Sequence, residues 1–125
     1  MTNDETSRDA AEIVAESWQA VLEMDPDLIN PVVPRTAYAH PRLRELYPIV
    51  SHGTLYFSRC IQFPWSQDVG TMFTQTEGGY RVRRASDNTV LGVTVTMQEA
   101  MDLIAANLPE GSGPAIDGTS HDLTP

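Results

Sequence analysis

One short stretch, Ser51 to Trp65 with the sequence SHGTLYFSRCIQFPW, gathers a histidine, an arginine, the only cysteine and several aromatic rings. His52 could relay a proton near neutral pH, and Arg59 could grip a carboxylate through its forked guanidinium. Tyr56, Phe63 and Trp65 could wall a substrate pocket, each offering a large apolar ring. Every one of them also has a plain structural use in pairing, capping or packing. Cys60 invites a thiolate pair with His52. The two lie eight residues apart along the chain, roughly 25 Å if extended, so one strand does not bring them together, and a lone strand cysteine serves as a small hydrophobe.

Those side chains need a scaffold to aim them. If Thr54 to Ile61 is extended, Thr54, Tyr56, Ser58 and Cys60 share one face, and Leu55, Phe57, Arg59 and Ile61 share the other. An arginine on an apolar face has to pair with a carboxylate, leave the core at a sheet margin, or hold an anionic ligand. Phe63-Pro64-Trp65 then ends the strand, since Pro64 has no N–H for a ladder.

Before this stretch the pattern is helical. Thr2 and Glu5 stand at capping-box spacing, and Val14, Trp18, Val21 and Leu22 make one apolar face of a helix running from Asp4 to Met24. Asp25-Pro26 predicts one or two helical turns over residues 27–33, stopped by Pro34. His40-Pro41 predicts another short turn through Leu43, Leu46 and Tyr47, ending before Pro48. Arg35, Arg42 and Arg44 form a basic island around Glu45.

After it the pattern alternates. Residues 69–76, 80–85 and 89–95 read as strands, separated by the turn pairs Gly78-Gly79 and Asp87-Asn88. Thr96 and Glu99 form a second capping box, and Met97, Ala100, Met101, Ile104 and Leu108 give a stripe able to cover a sheet. The expected fold is α+β: N-terminal helices, an antiparallel meander of about four strands, and a C-terminal helix packed on it. Residues 1–110 make a single domain, and residues 111–125 a Gly/Pro-rich tail lying on the surface or across a neighbour. That tail, the small sheet and Trp18 on the first helix together predict a two-fold homodimer.

Composition narrows the chemistry. Seventeen acids against eight bases leave a net charge of −9, which argues against nucleic acid and anionic membranes as partners. All the bases are arginine, so the protein has no amine for Schiff-base chemistry. The sequence carries no phosphate loop, no dinucleotide fingerprint, no CxxC pair and no HExxH. His40, His52 and His121 are too scattered for a metal site, so neither metal nor cofactor is expected. The lone cysteine and the lack of a membrane-length apolar run predict a cytoplasmic protein.

The run AYAHPRLRELYPIVSHGTLYFSRCIQFPWSQDV, the later GGYRVR, the segment TVTMQEAMDLIAANLP and the closing GSGPAIDGT resemble a bacterial family of small natural-product-biosynthesis proteins of unknown function. The resemblance spans Ala37 to Thr119. Within it lies a likeness to the lysinoalanine synthases of duramycin- and cinnamycin-type lanthipeptides. That likeness implies late action on a modified ribosomal peptide, whose lysine amine adds to a dehydroalanine, with a residue of the peptide itself as base. His52 and Arg59 would then be catalytic, and Tyr56, Phe63 and Trp65 substrate-binding, by residue type alone. A noncatalytic peptide-binding or accessory protein of natural-product biosynthesis is the competing expectation. Its pocket would hold the same peptide without touching a bond.

Overall fold

The computed structural model describes residues 9–123. Helix α1, Ala10–Leu22, is capped by Asp9, whose Oδ1 accepts the Glu12 N–H at 2.9 Å. The expected Thr2–Glu5 box lies outside the described residues. Trp18 on α1 is fully buried: its indole N–H donates to the Leu46 carbonyl at 2.9 Å, and its ring meets Tyr38 edge-on at 5.4 Å. It is a packing anchor of its own chain.

Helix α2, Val32–Tyr38, corrects the expected stop at Pro34. Pro34 is the third helical residue, where the backbone N–H has no intrahelical acceptor to lose, so the helix runs through it. The preceding residues make a turn held by Asp25, whose Oδ1 accepts the Asp27 N–H at 2.8 Å. A 3-10 turn at Leu43–Glu45 follows, with Leu43 buried. Arg44 of the basic island lies over the Tyr38 ring at 5.5 Å, and Arg42 donates to the Ala105 carbonyl at 3.4 Å.

The second correction concerns the sheet. Strands β1, Tyr47–Ser51, and β2, Thr54–Ser58, form an antiparallel hairpin; β3, Gly70–Thr74, β4, Tyr80–Arg84, and β5, Thr89–Thr94, form a separate antiparallel sheet in that order. Among the described residues the meander of about four strands is thus five strands in two sheets. Tyr47, expected to close a helical turn, instead opens β1, and the strand runs through Pro48, where only a stop was expected. Pro48 is accommodated because β1 pairs on one side only, with β2. The His52-Gly53 pair closing this hairpin has φ of 52° and 76°, the left-handed pattern that a two-residue turn needs to match strand twist.

Register assigns the faces. Pro48 and Val50 lie opposite Phe57 and Leu55, turned toward the core, while Tyr47 and Ile49 lie opposite Ser58 and Tyr56 on the other face, which is itself partly covered: Ser58 is buried and Tyr47 half-buried. In the larger sheet Met72, Val82 and Gly92 lie in one row beneath helix α3, Met97–Ala106. A Cβ on Gly92 would come within 2.9 Å of Leu103 on α3, so glycine permits that approach. The Thr96 and Glu99 capping box is formed in full at the start of α3. The chain is therefore α+β, with its last helix packed on the sheet.

The segment after α3 docks on its own domain. Ile61 and Gln62 donate to the carbonyls of Ile116 and Gly118 at 3.0 and 2.8 Å, Ile116 donates to Arg59, Ala115 to Glu45, and Ser120 to Pro64. Ala115 is buried. With Trp18 also enclosed, two of the three reasons for expecting a dimer are met within one chain.

Candidate functional site

β2 ends at Ser58, three residues earlier than the alternation implied, and the residues beyond it are folded by hydroxyls. Ser58 Oγ, fully buried, donates to the Cys60 carbonyl at 2.7 Å and accepts the N–H groups of Cys60 and Ser66 at 3.2 and 3.1 Å. Ser66 Oγ accepts the Arg59 N–H at 2.8 Å in return. The chain therefore leaves the strand, loops through Phe63-Pro64-Trp65, and comes back to where it left. Trp65 is delivered to the outer face of the hairpin, stacked against Tyr47 with centroids 6.4 Å apart and planes at 30°. Phe63 meets Trp65 edge-on at 5.2 Å and stands 74% exposed.

Where the two sheets meet, Trp65 borders a pocket of about 210 Å³. Ile49, Tyr56 and Phe57 come from the hairpin, Trp65, Ser66, Gln67 and Val69 from the loop, and Thr71 and Ala85 from the larger sheet. The lining is mainly apolar, and among the described residues that form it Tyr56 is the only titratable side chain. For comparison, a cavity of about 150 Å³ accepts benzene. A pocket of this volume has room for about one large side chain or one small ring.

Arg59 is not in this wall. Its Nη1 lies 3.0 Å from Asp68 Oδ2 and its Nε donates to Ser112 Oγ at 3.2 Å; only 11% of the side chain is exposed. Of the three fates open to it in the sequence, pairing with a carboxylate is the one realised. A second hollow, of about 290 Å³, lies on this side, with Arg59, Asp68, Ser86 and Ser120 in its rim. Both hollows share Ser66 and Gln67, which form the partition between them.

His52 sits at the exposed hairpin turn, with Nδ1 3.0 Å from Ser51 Oγ. It borders a different groove, with Leu28 and Asp27, and does not line the aromatic pocket. Cys60 is buried with its sulfur near the Gln62 and Pro64 carbonyls at 3.6 and 3.7 Å. The site thus unites Tyr56 and Trp65, keeps Phe63 at the rim, sets Arg59 behind a partition and leaves His52 apart. Ile49, Thr71, Ala85 and Asp68 were missed. Only Asp68 had a signal, as a nearby carboxylate for an arginine that needed one.

Among the described residues, no group of three or more His, Cys, Asp or Glu is placed to hold a metal, and no helix is long and apolar enough to cross a membrane. A model for a family of unknown function, DUF6193, matches residues 12–119. The chain belongs to that family. No curated protein and no solved structure matches it.

Proposed function

We propose that the protein takes part in natural-product biosynthesis by holding a modified ribosomal peptide against the aromatic pocket, and that it promotes closure of a lysinoalanine bridge there. The observation behind this reading is the pocket itself, mainly apolar, sized for one side chain and walled by Trp65, whose ring also meets Tyr47 and Phe63. The four-carbon stem of a peptide lysine fits such a space. Enclosure in it disfavours the ammonium and so releases the nucleophilic amine.

In the reaction the amine lone pair attacks the β-carbon of dehydroalanine, and the alkene electrons move toward the α-carbon and its carbonyl. A base on the peptide takes the surplus ammonium proton, and the α-carbon gains one. Nothing leaves, so mass is conserved. The protein supplies proximity, which can replace much of a missing acid or base.

A noncatalytic reading has its own support in the lining, where only Tyr56 can exchange a proton. The two readings separate in one assay. The full chain is incubated with a dehydroalanine-containing lanthipeptide that carries a lysine, and binding is followed beside resistance of that lysine to amine modification. Acceleration by the wild-type chain, weakened in a folded Trp65→Ala variant and in Tyr56→Phe, supports the enzyme. Binding without acceleration leaves a carrier. Equal binding by wild type and Trp65→Ala removes the pocket from both.

A further inference from the structure

We infer that the outer edge of β5 is a docking strand for an extended cationic peptide segment, at a surface separate from the aromatic pocket. Among the described residues β5 pairs with β4 and with no strand on its other side. Its sequence, Thr89-Val90-Leu91-Gly92-Val93-Thr94, and the following Val95 hold no charge and no proline. Val90, Val93 and Val95 are 50%, 59% and 82% exposed. Natural sheets guard such edges with charges, prolines or a covering element, because the unused N–H and C=O groups of a strand recruit another strand. This edge has no charge and no proline, and its one interruption is a bulge at Leu91, where the pairing with β4 shifts between Val82 and Arg83. A peptide added there gains main-chain hydrogen bonds, with alternate side chains falling on the two faces.

Charge selects the occupant. A shallow, open groove of about 550 Å³ lies beside the edge, bounded by Val93 and Val95 of the strand side and by Leu103, Glu99 and Asp102 of α3. Both ionisable groups in it are acids, on a chain of net charge −9. Asp102 is 57% exposed, with His40 3.6 Å away, and Glu99 is held by the N–H groups of Val95 and Thr96 at 3.2 and 3.1 Å, which fixes it at the groove. The groove therefore favours a strand with apolar residues toward Val93 and Leu103 and Lys or Arg toward Asp102. A second copy of the chain is the poorer occupant. Two-fold pairing of β5 with itself keeps both α3 helices on one face of the joined sheet and turns these acids toward one another.

The test is selection of short random peptides displayed on phage against the immobilised full chain, followed by measured binding of one selected peptide. Expected are recovered sequences rich in Lys or Arg with β-branched residues at alternate positions, and slowed amide exchange along β5 when the peptide is bound. Val93→Lys, at an exposed position, should weaken that peptide by at least about tenfold, as should its N-methylated form. Asp102→Asn should weaken it less. Recovered peptides without basic character, or binding indifferent to Val93→Lys, overturn the inference. So does a wild-type dimer that Val93→Lys dissociates, since the edge is then filled by a second copy. Because Val93 lies outside the aromatic pocket, binding of a lanthipeptide there should be unchanged in the same variant.

Discussion

Arg59 Nη1 lies 3.0 Å from Asp68 Oδ2 and joins the end of the β1–β2 hairpin to the entry of the three-stranded sheet. Arg59 is well enclosed and Asp68 about one-third exposed, so removing either partner leaves the other poorly solvated. Asp68→Ala should cost about 1–3 kcal/mol, below the full value for a buried pair because the Asp68 side chain is only partly enclosed, although its Oδ1 is buried without a partner among the described residues. Urea unfolding of both single variants and the double variant checks it: the double loss should fall short of the sum. Additive losses would mean that the pair is not coupled.

Trp18→Ala should be among the most damaging single changes, at about 3–5 kcal/mol. It empties a site enclosed by Tyr38 and Phe57 and abandons the Leu46 carbonyl. Thermal unfolding with an unchanged association state is the measurement. A large change in association with little loss of stability would instead restore Trp18 to a subunit contact.

His52 has the backbone of a turn residue, with φ of 52°. Asparagine tolerates that conformation, so His52→Asn should change stability by less than about 0.5 kcal/mol, whereas the branched side chain in His52→Val should cost about 1–3 kcal/mol. Peptide binding by His52→Asn should equal wild type. A folded His52→Asn protein that has lost its activity would put a proton relay at the turn after all.

The turn between β4 and β5 holds a carboxyl whose titration is displaced. Hydrogen bonds from Arg84 first, and then from Thr89, hold the Asp87 carboxyl well below the usual carboxylate range. A depressed carboxyl contributes its stability above the unfolded value, about pH 4, and loses it as pH falls through the folded one. The carboxyl carbon resonance of Asp87 should therefore titrate at lower pH than those of ordinary exposed acids. Asp87→Asn should abolish that late titration and loosen the turn at neutral pH. Since the pair is exposed, global stability should barely move.

Local signals were readable in the chain and distant ones were not. The Thr96 and Glu99 box, the turns at Gly78-Gly79 and Asp87-Asn88, and the apolar stripe of α3 need only neighbours a few residues away. Pro48 hid β1, because proline reads as a stop and only its place in a two-stranded hairpin makes it acceptable. Tyr56 and Trp65 were legible as pocket walls from residue type. Ile49, Thr71 and Ala85 join them only because two sheets meet there, and no periodicity records that meeting. The docking of Ile116 and Gly118 on the strand exit was hidden for the same reason, since loop composition carries no address for its partner.

That docking also sets an order of events during synthesis. The backbone groups of Ile61, Gln62 and Pro64 find their partners in Ile116, Gly118 and Ser120. The loop presenting Phe63 and Trp65 thus lacks half its supports until more than fifty further residues have been added to the chain. The hairpin and α1 can associate while the chain still grows. The aromatic wall lacks these hydrogen bonds until residues 115–120 are available, so a chain that stops before them should present an unfinished site.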